Sequence, residues 1–404
     1  MKLMDRLFKN EVKSTESKDV GIHPFLTGQS NLSLGENLGE ITYFTCLKML
    51  SESLGKLNID LLQDTDKGTV KVKDNQVYQL LKYRPNPYMT PSAFKSLIEF
   101  NRNHYGNAYV WARYRGAKLL DLWVLDSENV RILVDNEGLL GTENNLMYEY
   151  SHPTTGKLYY FKNNEILHFK WSVSHDGIVG LAVQDVLQST MTGNKASQAF
   201  LNNLNKKGFT ARAVLEYVGD LDKARKRELV ATLEEYALGE ENAGRIVPVP
   251  LGMKLTPLDL KLTDSQFFEL KKYGALQVAA AFGIKPNQIN DYTKSSYSSS
   301  EAQNLSFYVD TLLFILKQWE EELNYKLLSQ AERNTGLHFK FNVSSILRAD
   351  LKTQAEVLAI YRNNGIYDAN ECREVLDKER REHGDIIMMN GNYIPIDQAG
   401  QQYE

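Results

Sequence analysis

The sequence predicts an α+β protein in which two long helices bracket a small inserted unit. Three observations carry that expectation. In the first 178 residues an amphipathic helical run is followed by stretches rich in β-branched and aromatic residues, such as "NAYVWARY", "LDLWVLD" and "VRILVD". A run at 180–208 then places Val183, Leu187, Met191, Ala196, Phe200 and Leu204 near helical spacing. A second apolar helical run opens at 263–264, so 209–262 is an insertion between two helices, and helices that flank an insertion pair antiparallel.

The bulk numbers bound the class. At 404 residues the chain exceeds what one hydrophobic core serves, which predicts several domains. Its apolar share of 42% and charged share of 24% are those of a globular protein. A formal charge of -4 excludes a broadly basic coat for nucleic acid but leaves room for local patches. Cys46 and Cys372 lack zinc or redox spacing and read as two reduced, buried thiols. The N-terminus lacks the apolar core of a signal peptide, and no apolar run approaches the roughly 20 residues of a membrane span. These features predict a protein of a reducing compartment with no membrane partner.

Taken in order, residues 1–36 are polar and read as a mobile arm. Within 37–179, Tyr43, Cys46, Leu47, Leu50 and Leu54 recur at helical steps. Thr90 can cap a helix that starts at Pro91, and Gly106-Asn107 breaks that helix into a strand. "LYYF" and "ILHFKW" are further strands about a turn at Asn163-Asn164, and His168 alternates into an apolar strand as a structural residue. The helix at 180–208 has an almost uncharged opposite face that includes Gln188, Asn194, Gln198 and Asn202. The insertion reads as a strand "ARAVLEYV", a charged solvent-facing helix and an edge strand around Pro248 and Pro250. After the helix of 263–284 comes a polar connection, 285–300, whose charges are only Lys285, Asp291 and Lys294. Connections this long between helices are uncommon unless functional or disordered. A long helix from about 299 is expected to carry Ser299 or Ser300 as its cap and Glu320, Glu321 and Glu322 on its solvent face. "LHFKFNVSSIL" closes 301–348 as a strand, 349–382 alternates like a helical hairpin, and 383–404 reads as a tail.

Catalytic signatures are missing. "PTTGKL" lacks the upstream glycine and following hydroxyl of a phosphate-binding loop, and neither H-E-x-x-H nor G-x-S-x-G occurs. Asp64/Asp66 and Asp220/Asp222 lack a third acidic partner for magnesium and suit turns or helix starts. Tyr292 and Tyr297 lack the clustered Arg or His that a tyrosine nucleophile acting on phosphate needs. The expectation is a protein that is not an enzyme and uses no cofactor or metal.

The stretches "LLKYRPNPYMTPSAF", "YGNAYVWARYRG", "LWVLDSENVRI", "EILHFKW", "HDGIVGLAVQDV", "NAGRIVPVPLGMKL", "DSQFFELKKYGALQVAAAFGIKPNQI" and "SYSSSEAQNLSFYVDTLLFILKQWEEELNYKLL" occur in an order and spacing that resembles the portal proteins of tailed double-stranded-DNA bacteriophages, over roughly 40–330. The resemblance implies a homo-oligomeric ring, typically of twelve subunits, at one capsid vertex. Double-stranded DNA would be packaged and ejected through its channel without sequence specificity. It further implies a wing at 37–179, stem helices at 180–208 and 263–284, and a clip at 209–262. A tunnel loop at 285–300 follows, then a long wing helix and strand at 301–348 and a small helical crown at 349–382. Implied partners are the terminase large subunit, head-tail connector or adaptor proteins, and the major capsid and scaffold proteins. The implied location is the virion, after assembly in the bacterial host cytoplasm.

On this resemblance the channel is lined by tunnel-loop residues Lys285, Asn287, Gln288, Asn290, Asp291, Tyr292, Lys294, Ser295, Ser296 and Tyr297. The stem adds Gln188, Asn194, Lys195, Gln198, Asn202, Lys206 and Lys207. The chemistry suits passage: each Lys–phosphate contact adds affinity through counterion release, so a weakly charged loop touches DNA without gripping it. Asp291 is expected to offset part of Lys285 and Lys294. Two other readings stay open from the residues alone. One is a monomeric adaptor or scaffold module, which would form no ring. The other is a nucleic-acid-nicking enzyme, which a magnesium-dependent nicking assay would reveal.

Overall fold

The computed structural model describes residues 36–66, 68–135, 146–207, 213–217, 222–228, 231, 253–257, 264–291, 297–343, 351–376 and 378–388. The expected arm at 1–36, apart from Glu36, and the tail beyond residue 388 lie outside them. The chain divides into two compact units at Phe341 and Asn342.

The larger unit is built on helix α1, Ile41–Gly55, whose Tyr43, Cys46, Leu47, Leu50 and Leu54 are all buried, as their spacing predicts. Its apolar face meets helix α3, Pro91–Tyr105, which starts on the Thr90 cap and ends at Gly106 with φ 76°. Between them run the hairpin of β1, Asn58–Thr65, and β2, Gly68–Lys71, and the short helix α2, Gln76–Lys82. That hairpin has no counterpart among the sequence expectations, although Ile59 and Leu61 alternate inward along β1.

Strands β3, Asn107–Arg115, β4, Lys118–Leu125, and β8, Ile166–Lys170, form a sheet in the order β4-β3-β8. Strands β5, Val130–Val134, β6, Leu146–Ser151, and β7, Leu158–Lys162, form a second, in the order β5-β6-β7. Alternation along β3 sends Tyr109 and Trp111 into a core with Trp123, Tyr148, Tyr150, Tyr159 and Phe161, which joins the two sheets. The neighbours Ala108, Val110 and Ala112 are buried on the other face.

Helix α4, Val183–Lys207, leads out of this body and helix α5, Asp264–Ala281, returns to it. Between them, β9, Ala213–Tyr217, and β10, Met253–Pro257, pair antiparallel, and residues 223–228 are helical and exposed. Pro248 and Pro250 lie outside the described residues. Helix α6, Tyr297–Phe307, passes through a π-turn at Tyr308–Leu312 into helix α7, Leu313–Leu327. The helix therefore begins before Ser299 and Ser300, which sit inside it rather than at its cap.

Helix α7 corrects a second expectation. Glu321 is exposed and meets Lys317, but Glu320 accepts a hydrogen bond from the Phe341 N–H and Glu322 from the His168 N–H, each at 2.8 Å. Asn324 accepts one from the Phe339 N–H at 2.6 Å. These side chains satisfy strand-edge donors on β8 and on β11, Leu337–Asn342, which pairs beside β1. A short helix α8, Gln330–Asn334, leads into β11.

The smaller unit holds helix α9, Leu351–Asn363, and helix α10, Ala369–Val375, the expected helical hairpin. Asp368 and Glu371 form a capping box at its turn. Buried Asn370 binds the Arg381 carbonyl and the Asp385 carboxylate, which ties down the chain after α10.

Candidate channel-forming helices and their connecting turn

Helix α4 is rooted where two glycines meet. A Cβ on Gly106 would lie 2.6 Å from the Gly180 carbonyl, and one on Gly180 would lie 2.2 Å from the Gly106 carbonyl, so only glycines permit this approach. Val183, Leu187 and Met191 then bury the first turns. The buried stripe does not continue through Ala196, which is exposed. Five residues at about 100° each overshoot the stripe by roughly 140°, whereas Asn194 and Lys195 stay close to it. Asn194 accordingly packs against Gly274 of α5, where a Cβ would lie 2.3 Å from its Oδ1.

The contacts Asn194–Gly274 and Gln198–Lys271 run in opposite chain directions, so α4 and α5 are antiparallel. Lys271 Nζ donates to Gln198 Oε1 at 2.5 Å, and Gln198 Nε2 donates to Asn202 Oδ1 at 3.0 Å. Among the stem candidates, Gln188, Gln198 and Asn202 are exposed, and Asn194 and Lys195 are half-buried. Lys206 and Lys207 lie on α4, with side chains outside the described residues.

The polar connection after α5 is more ordered than its composition suggests. Phe282 and Ile284 are buried, and Phe282 packs on Tyr43 at 5.5 Å between ring centroids. Pro286–Ile289 form a 3-10 turn, closed by Asn290 in the left-handed region at φ 63°. Proline at the first position presets that turn. Asn287 is buried, donating from its backbone to Gln303 at 3.2 Å and from Nδ2 to Asn304 at 3.1 Å on α6. Lys285 pairs with Asp310 of the π-turn at 2.8 Å, while Asp291 pairs with Lys272 of α5 at 3.0 Å. Asp291 therefore does not offset Lys285. Thr311 of the same π-turn donates to the Gly283 carbonyl at 2.7 Å. Gln288 is half-buried and Asn290 exposed. Tyr292, Lys294, Ser295 and Ser296 lie outside the described residues, and Tyr297 starts α6 with its side chain outside them.

Chemically, the exposed face of α4 and the turn offer amides and few charges, whereas α5 carries Asp264, Glu269, Lys271 and Lys272. Among the described residues no three His, Cys, Asp or Glu side chains come together as a metal-ligand set, and no helix is long and apolar enough to cross a membrane. His168 is a satisfied core residue. Its Nε2 donates to Asn107 Oδ1 at 2.9 Å, Tyr148 Oη lies 3.3 Å from Nδ1, and burial with nearby Lys170 and Lys326 holds its pKa down at about 3.

This α+β body, with its antiparallel helix pair and small β unit, has solved counterparts. Two solved structures of the neck of a gene transfer agent particle, computed with sixfold and twelvefold symmetry, share the fold. Their TM-scores are 0.58 and 0.55 at 21% and 20% identity, covering 86% and 88% of this chain and 92% and 95% of theirs. A phage portal protein of the HK97 family from Corynebacterium diphtheriae aligns at TM-score 0.55 and 13% identity, over 78% of this chain and 96% of that one. The sequence carries the assignment further: the family model for phage portal proteins matches residues 41–377, and the chain belongs to that family. It is 24% identical over 399 residues to the portal protein of Enterobacteria phage HK97, covering 97% of this chain and 91% of that protein.

Proposed function

We propose that the chain assembles into a ring of about twelve copies at one vertex of a phage or phage-like capsid, and that double-stranded DNA enters and leaves through the ring. Family membership together with the antiparallel pair α4 and α5, of which α4 presents a nearly uncharged, amide-rich exposed face, carries this reading. A duplex carries a phosphate charge about every 1.7 Å, and Z bound phosphates make log K fall by about 0.9Z per decade of salt. Ring symmetry would multiply every lysine, so an amide-rich wall is the composition that lets DNA slide.

In this reading 37–179 and 301–348 are the wing, 180–208 and 263–284 the stem, 209–262 the clip, 285–300 the tunnel loop and 349–382 the crown. The channel is approached by Gln188, Gln198, Asn202, Gln288 and Asn290, which the single chain leaves at least partly open. The terminase large subunit would dock at the clip, with head-tail connector, major capsid and scaffold proteins as further partners. Assembly would take place in the bacterial host cytoplasm, and the finished ring would stay in the virion. The packaging ATPase would be the terminase, with no catalysis by this chain.

Ring formation has its own support in apolar side chains left open on the helices. On α6, the π-turn and α7, Leu305, Val309 and Leu313 are 55%, 50% and 48% exposed at steps of four residues. On α5, Leu270 and Tyr273 are exposed as well. Contiguous apolar patches of this kind mark interaction surfaces, and contacts between unlike faces of identical subunits close into rings when the rotation permits.

Particles carrying Gln188→Lys, Asn202→Lys and Asn290→Lys together test the channel. The reading expects packaged DNA per particle to fall at least tenfold with ring assembly intact; packaging at the wild-type level would overturn the assignment of these faces to the channel.

A further inference from the structure

Residues 68–125 hold nine Lys or Arg against three Asp or Glu, in a chain whose formal charge is -4. Two of the three acids are already matched. Glu99 is buried with Arg102, and Asp121 is paired with Arg113. Of the seven other cations Lys71 pairs with Asp60 and Lys95 is buried, and the fold gathers the remaining five along one line, with the third acid, Asp74, exposed beside Lys73. Gln76 Nε2 donates to the Leu119 carbonyl, the Leu122 N–H donates to the Pro85 carbonyl at 2.8 Å, and Asn86 Nδ2 donates to the Leu122 carbonyl at 3.0 Å. The segment from Lys73 to Asn86 is thereby laid along the outer edge of β4. The β3–β4 hairpin tip adds its own cations at one end of that edge.

On this line Lys73, Lys82, Arg84, Arg115 and Lys118 are exposed, and none of them has an ion-pair partner among the described residues. Lys82 instead lies over the rings of Tyr78 and Tyr83, 5.1 and 5.4 Å from their centroids. Tyr83 and Tyr88, 59% and 60% exposed, lie beside the cations. Five cations without an ion-pair partner, interleaved with tyrosines, offer what a phosphate backbone needs: lysine and arginine supply counterion release, and tyrosine can donate to phosphate oxygens. An edge already covered by the segment 73–86 offers no free strand for a peptide to extend.

We propose that this band is a second nucleic-acid surface, which binds the phosphate backbone of duplex DNA without sequence preference. None of its cations lies on α4 or α5, so it is a surface apart from the proposed channel. A chain whose channel lets DNA slide would then also hold duplex on its outside.

Topology separates the two surfaces experimentally. A relaxed, covalently closed DNA circle cannot thread a preformed ring, so its binding reports outer surfaces only. The full chain should bind fluorescent closed circles at about 50 mM salt and release them toward about 200 mM. The variant Arg84→Gln, Arg115→Gln, Lys118→Gln should bind at least tenfold more weakly, with a log–log salt slope shallower by about 2.7. Lys48→Gln on α1, outside both surfaces, should leave circle binding unchanged. The proposal is overturned if the wild-type chain fails to bind circles at low salt, or if the triple variant binds with wild-type affinity and slope. It is also overturned if the three substitutions change only the mass of the assembly, which would make the band a contact between copies, or if polyglutamate binds the band while DNA does not. A chain that fails to bind circles yet packages DNA normally would overturn this band and leave the channel standing.

Discussion

The side-chain amide of Asn107 brackets the backbone of Gly180: its Oδ1 accepts from the Gly180 N–H at 2.8 Å, and its Nδ2 donates to the Gly180 carbonyl at 2.9 Å. The same Oδ1 receives His168 Nε2 at 2.9 Å. One side chain thus fastens the first residue of β3 and the histidine of β8 to the entry of helix α4. Asn107→Leu keeps a similar volume but leaves the Gly180 amide and the histidine unmatched. Each unsatisfied buried group costs about 1–3 kcal/mol, so the urea midpoint should fall by the equivalent of about 3 kcal/mol. An unchanged midpoint would show that this joint does not anchor the helix.

The buried ion pair of α3 behaves differently under single and double substitution. Arg102 Nη1 meets Glu99 Oε1 at 2.9 Å, both side chains being almost fully buried, and Trp319 Nε1 donates to Glu99 Oε2 at 3.1 Å. Arg102→Met strands a buried carboxylate and should cost about 3–5 kcal/mol. Glu99→Gln with Arg102→Met should recover a substantial part, because no unpaired charge remains. Chemical denaturation of the three proteins decides it; a double variant weaker than the single one would contradict the argument.

Acid lability should trace to His168. Its folded pKa is held down at about 3, against 6.5 for an open imidazole, mainly by burial. Between those values the unfolded chain binds the extra proton, so stability is full above about pH 6.5 and falls as pH drops toward 3. The slope from this group approaches about 1.4 kcal/mol per pH unit. Glu322, raised by burial, works in the opposite sense, and His104, lowered by burial, in the same sense. His168→Asn should flatten the fall between pH 6.5 and 4 without abolishing it. Denaturation midpoints across that range measure the slopes, and equal slopes would refute the assignment.

Thiol chemistry offers a simple check on the core. Cys46 is fully buried, as expected, and burial pushes its thiol up to about 12, whereas Cys372, expected to be buried too, is only partly covered because it lies on the short helix α10. A thiol reagent at pH 8 should modify Cys372 in the native chain and Cys46 only after denaturation. Early modification of both would mean that α1 does not pack as described.

Much of this architecture was legible in the residues. The α1 stripe, the Thr90 cap, the Gly106 stop and the helix–insertion–helix order each followed from a local rule with one solution. What escaped depended on tertiary partners. Glu320 and Glu322 read as solvent-facing because nothing in a charged triplet announces an edge strand that needs an acceptor. The segment 285–291 read as a soft loop because its amides look the same whether they face water or, as with Asn287, a neighbouring helix. Ala196 misled through spacing: five residues is not a helical repeat. The hairpin of β1 and β2 leaves little trace in the sequence although Ile59 and Leu61 alternate inward, because its second strand, Gly68–Lys71, is short and fully exposed.

Native mass spectrometry of the full chain, co-expressed with its capsid protein and purified, tests the central claim most directly. The account predicts a closed assembly of about twelve copies of the 46.1 kDa chain, with a central hole visible in negative stain. It further predicts that Leu305→Asp with Leu313→Asp releases folded monomers. A wild-type chain that stays monomeric or dimeric at every salt and protein concentration would contradict the ring, and with it the channel.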